Sequence, residues 1–250
     1  LIDVVSPKKQ FSADKFKKLG QKSIENILDR NKIPIIVGGT GFYIDILLGR
    51  ISVAEVPPDK KLRVRLDKFT AEHLFKMLQK LDPKRAKAID SKNKRRLIRA
   101  IEIALGSGKL KVESGSKTTL HIPYSIFKVL WIGLKPVNLE QKIKGRLDAR
   151  LEQGMVKEVQ NLHQQEVSWK RLDDFGLEYR WVSRWLKNQK PKNINYKTFL
   201  NSQEYQNLLR DIIKYSKRQM TWFKRNKDIN WVNPALAGQK EAEKLLQSFL

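Results

Sequence analysis

A short apolar run without polar alternation, Ile33, Pro34, Ile35, Ile36 and Val37, passes through Gly38, Gly39, Thr40 and Gly41 into an apolar stretch, 42–48, of helical character. A strand buried on both faces reads as a continuous β-branched run, because neither face has to be wetted. Strand, glycine-rich turn and helix in that order form the repeating unit of an α/β nucleotide-type fold on a parallel sheet. In such sheets ligands bind at the carboxyl ends of strands. Glycines there let the backbone come close to a phosphate or a base, and the Thr40 hydroxyl can donate or accept a hydrogen bond. The turn lacks the lysine of a P-loop and does not match G-x-G-x-x-G, so alone it reads either as a ligand loop or as a plain tight turn.

The same character recurs along the chain. Residues 1–5 look like a strand already under way, 127–134 like a second buried strand and 229–232 like a final one. Apolar spacing predicts helices over 13–30 with Ser12 as N-cap, 139–153 with a short helix after Gly154, then 178–186, 202–224 and 241–250. Between 51 and 121 the β-branched runs vanish and apolar positions fall at helical spacing. Pro57 and Pro58 open this region and Asp82 with Pro83 divides it. It reads as a helical insertion in a core made of 1–50 and 122–250, and a 250-residue chain has room for both.

Charge narrows the function. The chain carries 51 Lys+Arg against 26 Asp+Glu, a formal +25. So one-sided a surface repels itself unless a polyanion neutralises it, and nucleic acid is the usual one; a lysine-rich solvated surface is the plainer alternative. With no cysteine, disulfides, thiolate catalysis and zinc ribbons are excluded. His73, His121 and His163 lie far apart without metal-ligand spacing, so no metal site is expected from them. No apolar run reaches the ~18 residues of a membrane span and no signal peptide is visible, which points to the cytoplasm.

The cations are clustered. A basic stretch of Lys92, Lys94, Arg95, Arg96 and Arg99 opens a helix whose apolar stripe is Leu97, Ile98, Ile101 and Leu105. Lys142, Arg146 and Arg150 follow one another at i, i+4 and i+8. Like charges at that spacing cost about 0.2–0.5 kcal/mol each unless an anion meets them. The stripe reads either as an anion site or as a solvated face balanced by Glu140, Asp148 and Glu152. A third cluster, Lys217 to Arg225, mixes cations, Gln219, Thr221, Trp222 and Phe223, the blend suited to loop RNA. Trp222 and Phe223 fit a core equally well; one of them is expected to be core, with the polar members facing RNA.

Taken together, LIDVVSP followed by FSADKF, IPIIVGGTGFYI, RRLIRAIEI, KGRLDARLEQGM running into VKEVQNL, FGLEYR and KRQMTWF closely resemble, in this order, the tRNA dimethylallyltransferase family, also called tRNA isopentenyl transferase. The FGLEYR form looks like the variant of some bacterial members. The resemblance implies an α/β, P-loop-NTPase-like parallel-sheet core interrupted by a helical insertion that grips the anticodon stem-loop. Such enzymes extrude the adenosine 3′ of the anticodon, and its N6 amine attacks the first carbon of dimethylallyl diphosphate. Diphosphate departs with the help of Mg²⁺.

Carried over by position, the resemblance puts Thr40 at the reaction channel and Arg146 on the diphosphate. Gly38, Gly39, Gly41, Tyr43 and Arg150 are expected around the substrates. Arg63 is expected to meet tRNA near the channel, and Arg95, Arg96 and Arg99 to form the insertion's RNA-facing patch. Gly176, Tyr179 and Arg180, with Lys217, Arg218, Gln219, Thr221 and Trp222, are expected at the anticodon loop. The implied partners are a tRNA anticodon stem-loop and dimethylallyl diphosphate, acting on a monomer.

The family's GPTASGKT P-loop and its D-S-x-Q-x-Y segment, whose Asp is the general base, do not occur in these 250 residues, which begin at Leu1. The expectation is therefore an N-terminally truncated, inactive portion, since a lost base costs ~10²–10⁴-fold, with the main Mg²⁺ ligands upstream. Two other readings stand beside it. One is a non-catalytic RNA-binding protein derived from the family. The other is a relative that prenylates free adenosine nucleotides, against which the basic insertion and the KRQMTW cluster argue.

Overall fold

The computed structural model describes residues 1–52, 54, 56–110, 128–188, 194–234 and 238–250. Two compact units emerge: Leu1–Arg50 with Ser125–Leu250, and Ile51–Tyr124. In the first, helix α1 (Ala13–Leu28) starts where the Ser12 hydroxyl accepts the Lys15 amide, satisfying one of the orphan donors of a helix start. It packs on α2 (Gly41–Leu47) at Gly20, where a Cβ would lie 2.7 Å from Leu47 Cδ1.

The second unit is all helical: α3 (Lys60–Leu66), α4 (Ala71–Leu81), α5 (Pro83–Ala88) and α6 (Lys94–Leu110). Asp59, Thr70 and Asp82 cap the first three of these through their side chains, and Pro83 sits in the first turn, where its missing N–H costs nothing. Leu66, Leu74, Leu78, Leu97 and Ile101 form its core, each contributing roughly 2 kcal/mol by leaving water. Leu105, expected on the same stripe, is instead 43% exposed.

The first unit resumes with β1 (Trp131–Leu134), α7 (Leu139–Arg150), a π-helical turn at Leu151–Met155, α8 (Val156–Gln164), α9 (Trp169–Phe175) and α10 (Leu177–Lys187). After these come α11 (Tyr196–Leu200), α12 (Gln203–Phe223), β2 (Ile229–Val232) and α13 (Gly238–Phe249). The π turn contains Gly154 at φ 107°, a conformation that favours glycine and lets α7 pass into α8 without a loop. Leu151, Val159, Leu172, Phe199 and Leu208 anchor this unit's core.

The sheet is smaller than the sequence suggests. β1 and β2 run parallel, Trp131 opposite Ile229 through Leu134 opposite Val232, and among the described residues they form a two-stranded sheet. The segment 33–37 belongs to no ladder, and Ile35 and Val37 are 82% and 90% exposed. Residues 1–5 are likewise irregular, with Asp3 at φ 55°. The strand expected over 127–134 shortens to four residues, with Leu134 61% exposed; Phe127 and the insertion's last residues, 111–121, lie outside the described residues. The physical reason is common to all three. A β-branched run states a preference for burial, but a strand exists only when a neighbour takes up its amides and carbonyls, and among the described residues β1 and β2 are each other's one strand partner. What stands is a mixed α/β unit, mostly helical around a small parallel sheet, with a helical insertion.

Candidate functional site

Tyr215, Gln219 and Trp222 recur at i, i+4 and i+7 on α12 and so share one face, and this face carries the glycine-rich turn. Gln219 Nε2 donates to the Gly39 carbonyl at 2.9 Å, and Trp222 Nε1 donates to the Asp45 carboxylate at 2.8 Å. The Thr40 hydroxyl lies 3.5 Å from the Tyr215 phenol. A Cβ on Gly39 would fall 2.3 Å from Gln219 Nε2, and one on Gly41 would fall 2.2 Å from Trp222 Cδ1. Close approach of the indole ring demands glycine at 41, whereas at 39 the neighbour is the flexible end of the Gln219 side chain and Gly38 has nothing within 4 Å. Phe42 meets Trp222 edge-on at 6.2 Å and Tyr43 stacks on Phe16 at 4.7 Å.

These contacts revise the expected division of labour on α12. Neither Trp222 nor Phe223 is core; both are half-buried, because the indole covers Gly41 and must reach Asp45 with its N–H. The Gln219 amide is engaged by backbone and does not stand free. Asp45 and Tyr215 were missed from the sequence, although the spacing of Tyr215 from Gln219 was a usable signal. Lys217, Arg218 and Thr221 are exposed on the outer side. Lys217 pairs with Glu140 at 3.2 Å, the Arg218 guanidinium sits 5.7 Å over the Tyr215 ring, and Thr221 Oγ1 donates to the Lys217 carbonyl at 3.0 Å.

On α7, Lys142, Arg146 and Arg150 are all exposed. The carboxylates that would have balanced them are engaged elsewhere. Glu140 holds Lys217, Asp148 holds Lys144 at 2.6 Å and the Tyr205 phenol, and Glu152 lies 3.5 Å from Tyr196. Arg146 has no hydrogen-bond or ion-pair partner among the described residues, so its charge is available to an anion. Arg150 Nε points to Met155 Sδ at 3.4 Å.

Gly176 joins α9 to α10 at φ 83°, in the region that favours glycine. Beyond it, Tyr179 donates to Glu158 at 2.6 Å; burial and that bond push its phenol up to about 12. Arg180 donates to the Asp173 carbonyl at 3.2 Å, and Arg184 to the Asp173 carboxylate at 2.6 Å. Burial works to raise the Asp173 carboxyl, but Arg184 and Arg180 outweigh it and hold the group below its ordinary value.

In the insertion unit, Arg95 and Arg96 lie exposed at the start of α6, but Arg63 and Arg99 turn onto a residue the sequence reading passed over. The Glu102 side chain is 1% exposed and accepts from Arg63 Nη2 at 2.7 Å and from Arg99 Nη1 at 2.6 Å. Burial works to raise its carboxyl, yet the bonds from Arg63, Arg99 and the Asp59 amide together hold it below the usual carboxylate value. The available signal was an acid on the apolar side of a basic helix, three residues after an arginine.

Among the described residues no helix is long and apolar enough to cross a membrane, and no group of three or more His, Asp or Glu is placed to hold a metal ion.

Comparison with known proteins places these features in context. The family model described as IPP transferase matches residues 1–226. The chain is similar to a tRNA dimethylallyltransferase 1 of Geotalea uraniireducens, 34% identical over 254 residues, covering 99% of this chain and 78% of that relative. It is also similar to the crystal structure of a full-length tRNA isopentenylpyrophosphate transferase from Bacillus halodurans. That match has a TM-score of 0.60 at 26% identity and covers 99% of this chain and 76% of that one. A eukaryotic dimethylallyltransferase acting on tRNA aligns with a TM-score of 0.69 at 22% identity, over 98% of this chain and 62% of that one; this likeness bears on the fold alone.

Proposed function

Because the chain belongs to the IPP transferase family, a family of prenyl-transferring enzymes, we propose that it serves transfer of a dimethylallyl group from dimethylallyl diphosphate to N6 of the adenosine 3′ of a tRNA anticodon. The observation that carries this reading is the glycine-rich turn fixed against the Gln219 and Trp222 face of α12, with its threonine hydroxyl at the surface and exposed cations beside it. A loop held by neutral amide and indole contacts leaves the neighbouring positive charges for ligands.

The chemistry asks for three things. An extruded adenine needs a pocket that accepts its plane, and the open backbone at Gly38, with nothing within 4 Å, leaves room for a flat ring near Thr40. As the N6–C bond forms and the C–O bond breaks, negative charge grows on the departing diphosphate. An arginine without a protein partner is suited to receive it bidentately, and Arg146 fills that role, with Lys142 and Arg150 one turn to either side. The N6 proton passes to a base, which is none of the residues assigned here. Among the described residues no group of three or more His, Asp or Glu is placed to hold the Mg²⁺ expected with the diphosphate.

RNA grip follows from the same charge, +25 over the chain. Arg95 and Arg96 on the insertion, and Lys217 and Arg218 on α12, are exposed where a phosphate backbone can meet them, while Tyr179 and Trp222 offer aromatic planes for bases. Soluble action in the cytoplasm as a monomer completes the reading.

The test is transfer itself. The full natural chain, incubated with unmodified tRNA and labelled dimethylallyl diphosphate, is expected to place label on N6 of the adenosine after the anticodon. Binding of tRNA without transfer would replace this reading with that of a non-catalytic RNA-binding relative. Faster labelling of AMP than of tRNA would point instead to an enzyme of free nucleotides.

A further inference from the structure

We propose that Glu102 is a positioning residue for the insertion's contact with RNA, holding Arg63 and Arg99 as one preset cationic pair on the face that Arg95 and Arg96 begin. The proposal rests on the tRNA reading above and adds to it a residue that itself meets no ligand.

The geometry is that of a saturated carboxylate. Glu102 accepts from the Asp59 amide at 2.6 Å, from Arg63 Nε at 2.9 Å and Nη2 at 2.7 Å, and from Arg99 Nη1 at 2.6 Å. A carboxylate offers about four acceptor sites, and all are occupied. Arg63 engages in the two-pronged manner that fixes the plane of its guanidinium. Arg99 is pinned from its other side, because its Nη2 donates to the Val56 carbonyl at 2.8 Å and the Ala54 carbonyl at 3.3 Å.

Both arginines nonetheless reach the surface. Their side chains remain 39% and 30% exposed, against 1% for Glu102. Arg63 Nη1 and Arg99 Nε find no protein acceptor among the described residues, so each guanidinium keeps a donor that the fold does not use while the rest of it is clamped. One carboxylate between two guanidiniums leaves a net single positive charge whose position is fixed. A free arginine gives up much rotamer freedom when it meets a phosphate; these two have already given it up on folding. Arg99 also stands one helical turn beyond Arg95 and Arg96, so the clamped pair continues their exposed face.

A purely structural knot and a positioning knot predict opposite signs for one variant. Glu102→Gln removes a negative charge from a chain of net +25, and simple electrostatics then predicts tighter RNA binding. Positioning predicts that an anticodon stem-loop binds about tenfold more weakly, with the salt slope reduced by about one to two, because two phosphate contacts are displaced. Heparin, a polyanion without hairpin shape, serves as the blind probe, and its affinity is expected to hold or rise. Circular dichroism and thermal melting establish that the variant is folded, and Glu102→Asp is expected to recover part of the hairpin affinity. If Glu102→Gln fails to fold, Arg63→Lys combined with Arg99→Lys keeps the charge but breaks the clamp, and the same roughly tenfold loss is expected. A folded Glu102→Gln variant, or a folded Arg63→Lys, Arg99→Lys double variant, that binds the hairpin as tightly as the parent overturns the proposal. Failure of the parent itself to prefer the hairpin over a duplex of equal length would overturn the tRNA reading, and the positioning role with it.

Discussion

The glycine-rich turn of one unit and the arginine pair of the other are held by opposite kinds of contact. The turn is fastened by neutral donors, an amide and an indole, at a half-exposed surface, and Arg146 on α7 of the same unit keeps its charge unspent. The arginine pair is fastened by ion pairing on a carboxylate almost wholly out of water, and its charge is half consumed by the fold. The lesson is that a cation in a basic sequence acts either on a ligand or on the scaffold, and the partner it finds decides which. Removing a free cation should therefore change function and spare stability, whereas cutting the buried knot should change stability first.

The largest effect expected is on turnover. In the full natural chain, Arg146→Ala should lower kcat by roughly 10²–10³-fold, the cost of one missing donor to developing charge, with a much smaller change in tRNA affinity and none in the melting curve. An unchanged kcat would move Arg146 to the solvated face and erase the contrast. Next comes Glu102→Ala, which leaves two guanidiniums around an empty site. Urea unfolding should show a loss of about 3–5 kcal/mol, and a loss below about 1 kcal/mol would mean the knot is no stronger than a surface pair. Gly41→Ala forces a methyl to within 2.2 Å of Trp222 Cδ1 and should cost about 1–3 kcal/mol, while Gly38→Ala, with nothing within 4 Å, should cost far less.

Acid sharpens the comparison further. Glu102 and Asp173 both titrate below their ordinary values, 4.5 and 3.8, so the stability they lend is complete above those values and fades as pH falls through the lowered ones. Acid unfolding should accordingly set in below about pH 4, and Glu102→Gln should flatten its share of that slope. Tyr179 behaves in the reverse sense: raised from 10.0 to about 12, its contribution is present below 10 and lost as pH climbs through 12, which ultraviolet titration of the phenol can follow. The smallest effect belongs to Arg96→Ala, a free surface charge. It should reduce the salt slope of tRNA binding by about one and leave stability unaltered; a stability loss would place Arg96 with the scaffold cations.

Much of this was legible in residue order alone. Helical periodicity located α1, α7, α10, α12 and α13 to within a few residues, because a stripe every three or four positions is a local property that packing only has to accept. The Ser12 cap was legible for the same reason. The strands over 33–37 and 127–134 were read too generously, since strand formation depends on a partner far away in sequence. At the site, the glycine turn and the KRQMTW stretch were visible as composition, but their contact was not. That Gln219 serves the Gly39 carbonyl, and that Glu102 gathers Arg63 as well as its i, i+3 neighbour Arg99, are facts of long-range pairing; only the Arg99 arm follows a spacing rule.

Whether these cations grip a folded RNA hairpin is decided by equilibrium binding to an anticodon stem-loop across a salt series. A hairpin grip gives a log–log line with a slope of about −3 or steeper and a clear preference for the hairpin over a duplex of equal length. A slope near zero, or equal affinity for the duplex, would contradict it.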